Sequence, residues 1–227
     1  MSNLYKVIQI KEAKMAEDWE KYWRKDNILT KIVEFMRIHY FADIPIAYLG
    51  NVKDKIVLEA GCGTSESLAR IARKAKKVVG IDVSKNALLE SKANFEKNKV
   101  TKEKYSLTLG TIENMKFKDN TFDITFNTGV IEHFDDDKIS NKPVEEMIRV
   151  TKKGGKIIIL VPCTYSPFYL YYLISRIPGL SKLYPWEEHR FYTFKMFRDQ
   201  LNELNVKYKI KLNFKSLFLY IVAEIIK

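Results

Sequence analysis

The residues best able to do chemistry gather first at Val57-Leu58-Glu59-Ala60-Gly61-Cys62-Gly63-Thr64-Ser65, where an apolar run ends in two glycines around a cysteine. Glycines at 61 and 63 let a backbone turn tightly and let a ligand approach where a Cβ would otherwise stand. Asp82 follows 21 residues after Gly61 and closes a second apolar run, Val78-Val79-Gly80-Ile81. In a parallel sheet such an acid lies beside the first strand at the ligand crevice, where it accepts hydrogen bonds from ribose hydroxyls. A dinucleotide fingerprint would need its third glycine where this chain has Glu66, and a carboxylate at that helix N-terminus repels a diphosphate. No G-x-x-x-x-G-K-[ST] phosphate loop occurs elsewhere. The pattern asks for a nucleoside without phosphate, and one carrying positive charge would tolerate Glu59.

These residues need a scaffold, and the hydrophobic periodicity supplies one. Ile56-Val57-Leu58 reads as a first strand, the stretch through Leu68, Ile71 and Ala72 as a helix, Val78–Ile81 as a second strand, and Ser84 as the N-cap of a helix carrying Leu88 and Leu89. Tyr105–Leu109 predicts a third strand, Phe122–Phe126 a fourth, Pro143–Val150 a helix, and Lys156–Val161 a fifth strand after the Gly154-Gly155 turn. Thr193–Leu204 returns to helix, and Val206–Phe214 and Leu217–Ile226 read as two antiparallel strands closing the sheet edge. Strands alternating with helices specify an α/β fold on a parallel sheet. Ahead of it, residues 12–49 have helical spacing, with Trp19, Tyr22 and Trp23 at i, i+3, i+4. The expected organisation is an N-terminal helical addition, 1–50, followed by a domain over 51–227.

Residues 55–162 resemble the class I S-adenosylmethionine-dependent methyltransferases of the small-molecule type. VLEAGCGTS is similar to their first motif, GIDVS to the second, GTIENMKFKDNTFDITFNTGVIEHF to the central block and RVTKKGGKIIILVP to the last. S-adenosylmethionine has a ribose, an ammonium and a sulfonium but no phosphate, which is the kind of ligand that Glu59, Glu66 and Asp82 would admit. The resemblance implies a Rossmann-like sheet of seven strands, mostly parallel, with helices on both faces and an antiparallel final strand, and a cofactor held over the C-terminal strand ends. It further implies that Glu59, Gly61, Cys62 and Gly63 cradle the methionine portion and that Asp82 holds the ribose. Ile112 and Glu113 would border the adenine, and Asn127 would sit near the methionine end. Two positions depart from the family pattern. Ser65 stands where glycine is frequent and is expected to help cap the next helix; Thr111 stands where an aspartate usually binds the adenine amine, with Glu113 as its substitute.

Methyl transfer from a sulfonium is an in-line displacement governed by alignment and exclusion of water, and a base is needed only where the acceptor carries a proton at neutral pH. His133, in Val130-Ile131-Glu132-His133-Phe134, has the right side-chain type and position to be that base. A structural histidine is the competing reading, and Glu132 is the lesser candidate. Cys163 follows the fifth strand, where RNA cytosine methyltransferases of this fold place a nucleophile. Their second Pro-Cys is missing, its place reading Asn127-Thr128-Gly129, so Cys163 reads as a buried inert thiol. Residues 163–187 are rich in Tyr, Phe, Leu and Pro and lie where the family inserts substrate-covering helices; a cover for a lipid-like or aromatic acceptor and ordinary packing of an added helix both fit. Trp19, Tyr22 and Trp23 likewise read either as a lid over the cofactor or as a buried helix face. His189-Arg190 would place a cation at the pocket rim, or Arg190 would pair with Glu187 or Glu188 on the surface.

The 227 residues, 46% hydrophobic and 30% charged, suffice for one core. No apolar stretch approaches the roughly 20 residues that cross a bilayer, and the N-terminal sequence lacks a signal peptide's apolar region. A soluble protein of the cytoplasm is expected. Two cysteines and three histidines provide neither a disulfide framework nor a spaced metal-ligand set, so no metal is expected. The net charge is +11, but lysine outnumbers arginine about four to one, whereas planar recognition of phosphate and guanine favours arginine. The charge therefore reads as a solvated surface. Methyl transfer to a small or lipid-like molecule is the expected activity; an RNA-modifying methyltransferase, with nucleic acid as partner, and a non-catalytic cofactor-binding protein are the alternatives.

Overall fold

A computed structural model describes residues 14, 17–23, 31–32, 35–133, 137–180, 190–213 and 220–227. The strands are β1 (Ile56–Ala60), β2 (Lys77–Asp82), β3 (Tyr105–Leu109), β4 (Phe122–Thr128), β5 (Thr151–Pro162), β6 (Tyr208–Leu212) and β7 (Tyr220–Ile226). The helices are α1 (Asp43–Leu49), α2 (Glu66–Ile71), α3 (Lys85–Lys97), α4 (Asp137–Val150), α5 (Pro167–Ser175) and α6 (Phe194–Glu203). All seven strands form one sheet in the order β3-β2-β1-β4-β5-β7-β6. The first five pair in parallel, and β7 inserts antiparallel between β5 and β6.

Successive residues of a strand point to opposite faces, and the core divides accordingly. Leu58, Val79 and Ile81 pack with Val144 and Met147 of α4 and Phe197 and Leu201 of α6. Val57, Val78 and Ile124 face the other way, toward Ile44 and Leu49 of α1, Leu68 of α2 and Phe95 of α3. A sheet covered on both faces needs strands that are apolar throughout, which is why β1 and β2 read as unbroken runs rather than alternating ones. Ser84 accepts the Ala87 N–H and Thr193 the Met196 N–H, so both predicted N-terminal boundaries hold.

Some boundaries differ from the sequence reading, two of them substantially. Helix α4 starts at Asp137 rather than at Pro143, which lies inside it. Proline removes one interior N–H, and the face carrying Val144, Met147 and Val150 keeps the helix on the sheet despite that loss. Strand β5 starts at Thr151, ahead of the two glycines. Thr151 pairs with Phe122 and Lys156 with Ile124, so residues 152–155 bulge from the ladder. Gly154 takes φ +74 there, and a Cβ at Gly155 would stand 2.9 Å from the Asp123 carbonyl oxygen, so the glycines make the bulge instead of ending the strand. In the N-terminal stretch, residues 17–22 are helical, Arg37–Phe41 wind as a π-helical turn, and α1 is part of the core beneath β4 and β5. Residues 24–30 of the predicted helices and 214–219 of the last hairpin lie outside the described residues.

Candidate active site

The chain leaves β1 at Ala60 and must reverse at once to start α2. Gly61 (φ +76) and Gly63 (φ +49) do so in the left-handed region. The N–H groups of Gly61 and Cys62 both donate to the Ile81 carbonyl, at 2.9 and 3.0 Å, which ties the turn to the end of β2. A Cβ at Gly61 would stand 2.5 Å from Val130 Cγ2, and one at Gly63 would stand 3.2 Å from Trp23 Cζ2. Ser65 is also left-handed, at φ +58, a conformation that costs a non-glycine residue about 1–2 kcal/mol. It does not cap α2: an N-cap needs extended backbone, and the Ser65 hydroxyl instead lies 3.0 Å from that of Ser91 on α3.

Cys62 turns away from the concavity. Its Sγ occupies the space over Gly80, 2.6 Å from where a Cβ would be, and its side chain belongs to the core. Burial, with the charges of Asp82 and Glu59, pushes the thiol well above its usual range. Its N–H and C=O are used by Ile81 and Ser65, so Cys62 shapes the turn from below.

The acids and amide converge on the same end of the sheet. Asp82 Oδ2 accepts the Gly63 N–H at 2.8 Å and Oδ1 the Ser84 N–H at 2.9 Å. Burial raises its pKa, while those N–H groups pull it down. Glu59 is buried with Oε2 lacking a hydrogen-bond partner, and burial together with Glu66 and Asp82 pushes its carboxyl well up. Asn127 is fully buried; its Nδ2 donates to the Ala60 carbonyl at 2.5 Å and its Oδ1 has no partner. Two unmet buried acceptors beside a glycine cradle, among carboxyls that repel one another, fit a ligand bearing donors and positive charge. They disfavour a diphosphate. Gly110 N–H donates to the Asp82 carbonyl, which brings the loop with Ile112 and Glu113 alongside. Ile112 is buried, and Thr111 accepts the Glu113 N–H at 3.2 Å, so its hydroxyl serves the local turn.

The N-terminal segment crosses these strand ends. Trp19 meets the His133 ring edge-on at 4.8 Å, and Trp23 lies against Gly63. Glu20 Oε2 accepts the Ser84 hydroxyl at 2.6 Å and reaches the Asn86 N–H at 3.4 Å. No motif singles out Glu20; its neighbours in space are more than sixty residues away in sequence, so no local pattern could have found it.

His133 ends a 3-10 turn, Ile131–His133, immediately after β4. Its neighbour Glu132 points into the protein, buried and with Oε2 unpartnered, and burial raises its carboxyl to about 8. Its charge in turn contributes, after desolvation, to the raised pKa of Tyr220 on β7, a partly buried side chain. Cys163 is a buried thiol outside any disulfide, bridged to Tyr192 through the backbone, and burial raises its pKa. After Cys163, α5 sets Tyr169 and Tyr172 against Phe191, with ring centroids 5.1 and 5.3 Å apart. The Arg190 N–H donates to the Glu132 carbonyl at 2.9 Å, and its guanidinium lies 5.9 Å from the Tyr192 ring centroid. His189, Glu187 and Glu188 fall in 181–189, outside the described residues.

A parallel sheet with a reversed final strand, a glycine turn after β1 and an acid closing β2 define a nucleoside-binding α/β protein. Residues 51–200 match the methyltransferase domain family, and the chain belongs to it. It is a methyltransferase of the class I fold, and S-adenosylmethionine is its cofactor. Among curated relatives, a demethylmenaquinone methyltransferase of Geobacillus sp. (strain WCH70) is 26% identical over 192 residues, covering 78% of this chain and 77% of the relative. Another of the same description, from Bacillus cereus (strain ATCC 10987 / NRS 248), is 26% identical over 215 residues, 86% of each chain. Among solved structures, magnesium protoporphyrin IX methyltransferase from Synechocystis PCC 6803 superposes with a TM-score of 0.68 at 13% identity, over 99% of this chain and 100% of that one. Among the described residues no helix is long and apolar enough to cross a membrane.

Proposed function

We propose that this protein methylates a lipid-like aromatic acceptor of the hydroquinone kind, with residues 17–23 as a lid over the cofactor and the 163–187 region as the acceptor's cover. The observation that supports the acceptor reading is the Arg190 N–H donating to the carbonyl of Glu132, the residue before His133, while the adjacent Phe191 packs on Tyr169 and Tyr172. The relatives named for demethylmenaquinone methylation support the same class.

S-adenosylmethionine supplies an electrophilic methyl group on a sulfonium centre. Glu59 Oε2 and Asn127 Oδ1, the two buried acceptors without partners, would take donors of the methionine end. Asp82 keeps lone pairs for ribose hydroxyls after serving Gly63 and Ser84, and Gly61 and Gly63 leave the space a Cβ would fill. Ile112 and Glu113 border the adenine side. Trp19 and Trp23 keep water from the strand ends, which favours a displacement that depends on alignment.

A phenolic hydroxyl with a pKa near 10 is mostly protonated at neutral pH and activates its ring weakly until the proton leaves. His133 accepts that proton, its ring held edge-on against Trp19. Glu132, turned into the core, does not. On a short-chain demethyl hydroquinone, His133→Ala is expected to lower kcat by about 10²–10⁴-fold while leaving affinity for S-adenosylhomocysteine within a few-fold. Turnover unchanged by His133→Ala would leave the histidine a purely structural role, and no turnover on any hydroquinone would overturn the acceptor class.

A further inference from the structure

Helix α5 has two apolar faces, and the fold packs against only one of them. Tyr169 and Tyr172 lie half-buried against Phe191, and Ser175 on that side is buried. On the opposite side Leu170, Leu173, Ile174 and, in the turn that continues the helix, Ile177 recur at i, i+3, i+4 and i+7, the spacing of one helical stripe. They are 61%, 45%, 42% and 53% exposed, and Tyr165, just before the helix, is also exposed. Large apolar side chains gathered into a stripe mark a contact surface, unlike the scattered single exposures common on monomers.

Charge selects the occupant. From Cys163 to Ser181 the sequence holds one charged residue, Arg176, and no carboxylate, within a chain of net charge +11. A second copy of the chain would meet the stripe with the same positive charge and repel it. An anionic bilayer has an apolar layer beneath a negative surface and complements both properties. We propose that α5 docks this protein on anionic lipid bilayers, laying the Leu170, Leu173, Ile174 and Ile177 stripe into the headgroup region. The proposal rests on the lipid-like acceptor reading: the inward Tyr face of the docked helix then lines the route from the bilayer to His133, and the acceptor need not enter water.

Flotation of the full chain with vesicles of phosphatidylcholine alone and of equimolar phosphatidylcholine and phosphatidylglycerol tests this. The wild type should float with the anionic vesicles and bind the neutral ones at least about tenfold more weakly, with the difference shrinking as salt rises. Leu170→Ser combined with Ile174→Ser should reduce binding to anionic vesicles by about tenfold or more. Both positions are exposed and far along the chain from the glycine turn, so the variant should keep its affinity for S-adenosylhomocysteine. No flotation of the wild type, or equal flotation of the variant, overturns the proposal. So does light scattering that shows a dimer dissolved by the two substitutions, because a second copy would then occupy the stripe. Vesicle binding lost on substitution, in a protein that never methylates the hydroquinone, upholds docking and overturns the acceptor reading alone.

Discussion

Asp82→Ala is expected to lower affinity for S-adenosylmethionine and S-adenosylhomocysteine at least about tenfold and to destabilise the apo protein as well. The first effect follows from charge-assisted hydrogen bonds to ribose, worth about 1.5–3 kcal/mol, which a methyl group cannot make. The second is legible only in the structure, because the same carboxylate already accepts the N–H groups of Gly63 and Ser84. Truncation orphans both donors in a buried turn, at about 1–3 kcal/mol for each unsatisfied group. Asp82→Asn keeps one acceptor oxygen and should fall between wild type and alanine in both respects. Calorimetric titration with S-adenosylhomocysteine, paired with urea unfolding of the apo protein, separates the two contributions. An Asp82→Ala variant that binds normally would refute the placement of the ribose at β2.

Glu132→Gln should remove a large pH-dependent penalty on stability. The carboxyl is raised from its ordinary 4.5 to about 8 by burial, so between those values the folded state holds a proton that the unfolded state has lost. Its favourable contribution is therefore complete below pH 4.5, declines as pH rises, and is gone above about 8. A shift of that size corresponds to on the order of 4–5 kcal/mol across the window. Glutamine stays neutral throughout. The variant should match wild type or lie slightly below it at acidic pH, and exceed it by several kcal/mol on the alkaline side. Glu59 and Asp82 are shifted in the same direction and remain in both proteins, so the difference between the two unfolding curves isolates Glu132. Parallel pH dependences, measured by urea unfolding without cofactor, would place Glu132 in contact with solvent.

By itself the sequence determined whatever depends on neighbours along the chain. The glycines that turn the backbone after β1, the acid that closes β2, the cap at Ser84, the helix entered at Thr193, and the apolar runs of a doubly covered sheet are all local signals, and each lies where its spacing places it. Tertiary structure decided what depends on distant partners or on which of two adjacent side chains faces the site. β7 lies between β5 and β6 because edge pairing is settled by hydrogen bonds between strands, and a hairpin sequence reads the same whichever of its strands is inner. Cys62 packs under the turn while its glycine neighbours open above it, and Glu132 enters the core while His133 meets Trp19; an alternation of one residue separates the roles, and only the packed neighbours set its phase. Glu20 joins Ser84 and Asn86 from a segment remote in sequence. Folding brings those groups together, because a carboxylate and its donors need only proximity in space, whereas sequence patterns record proximity along the chain.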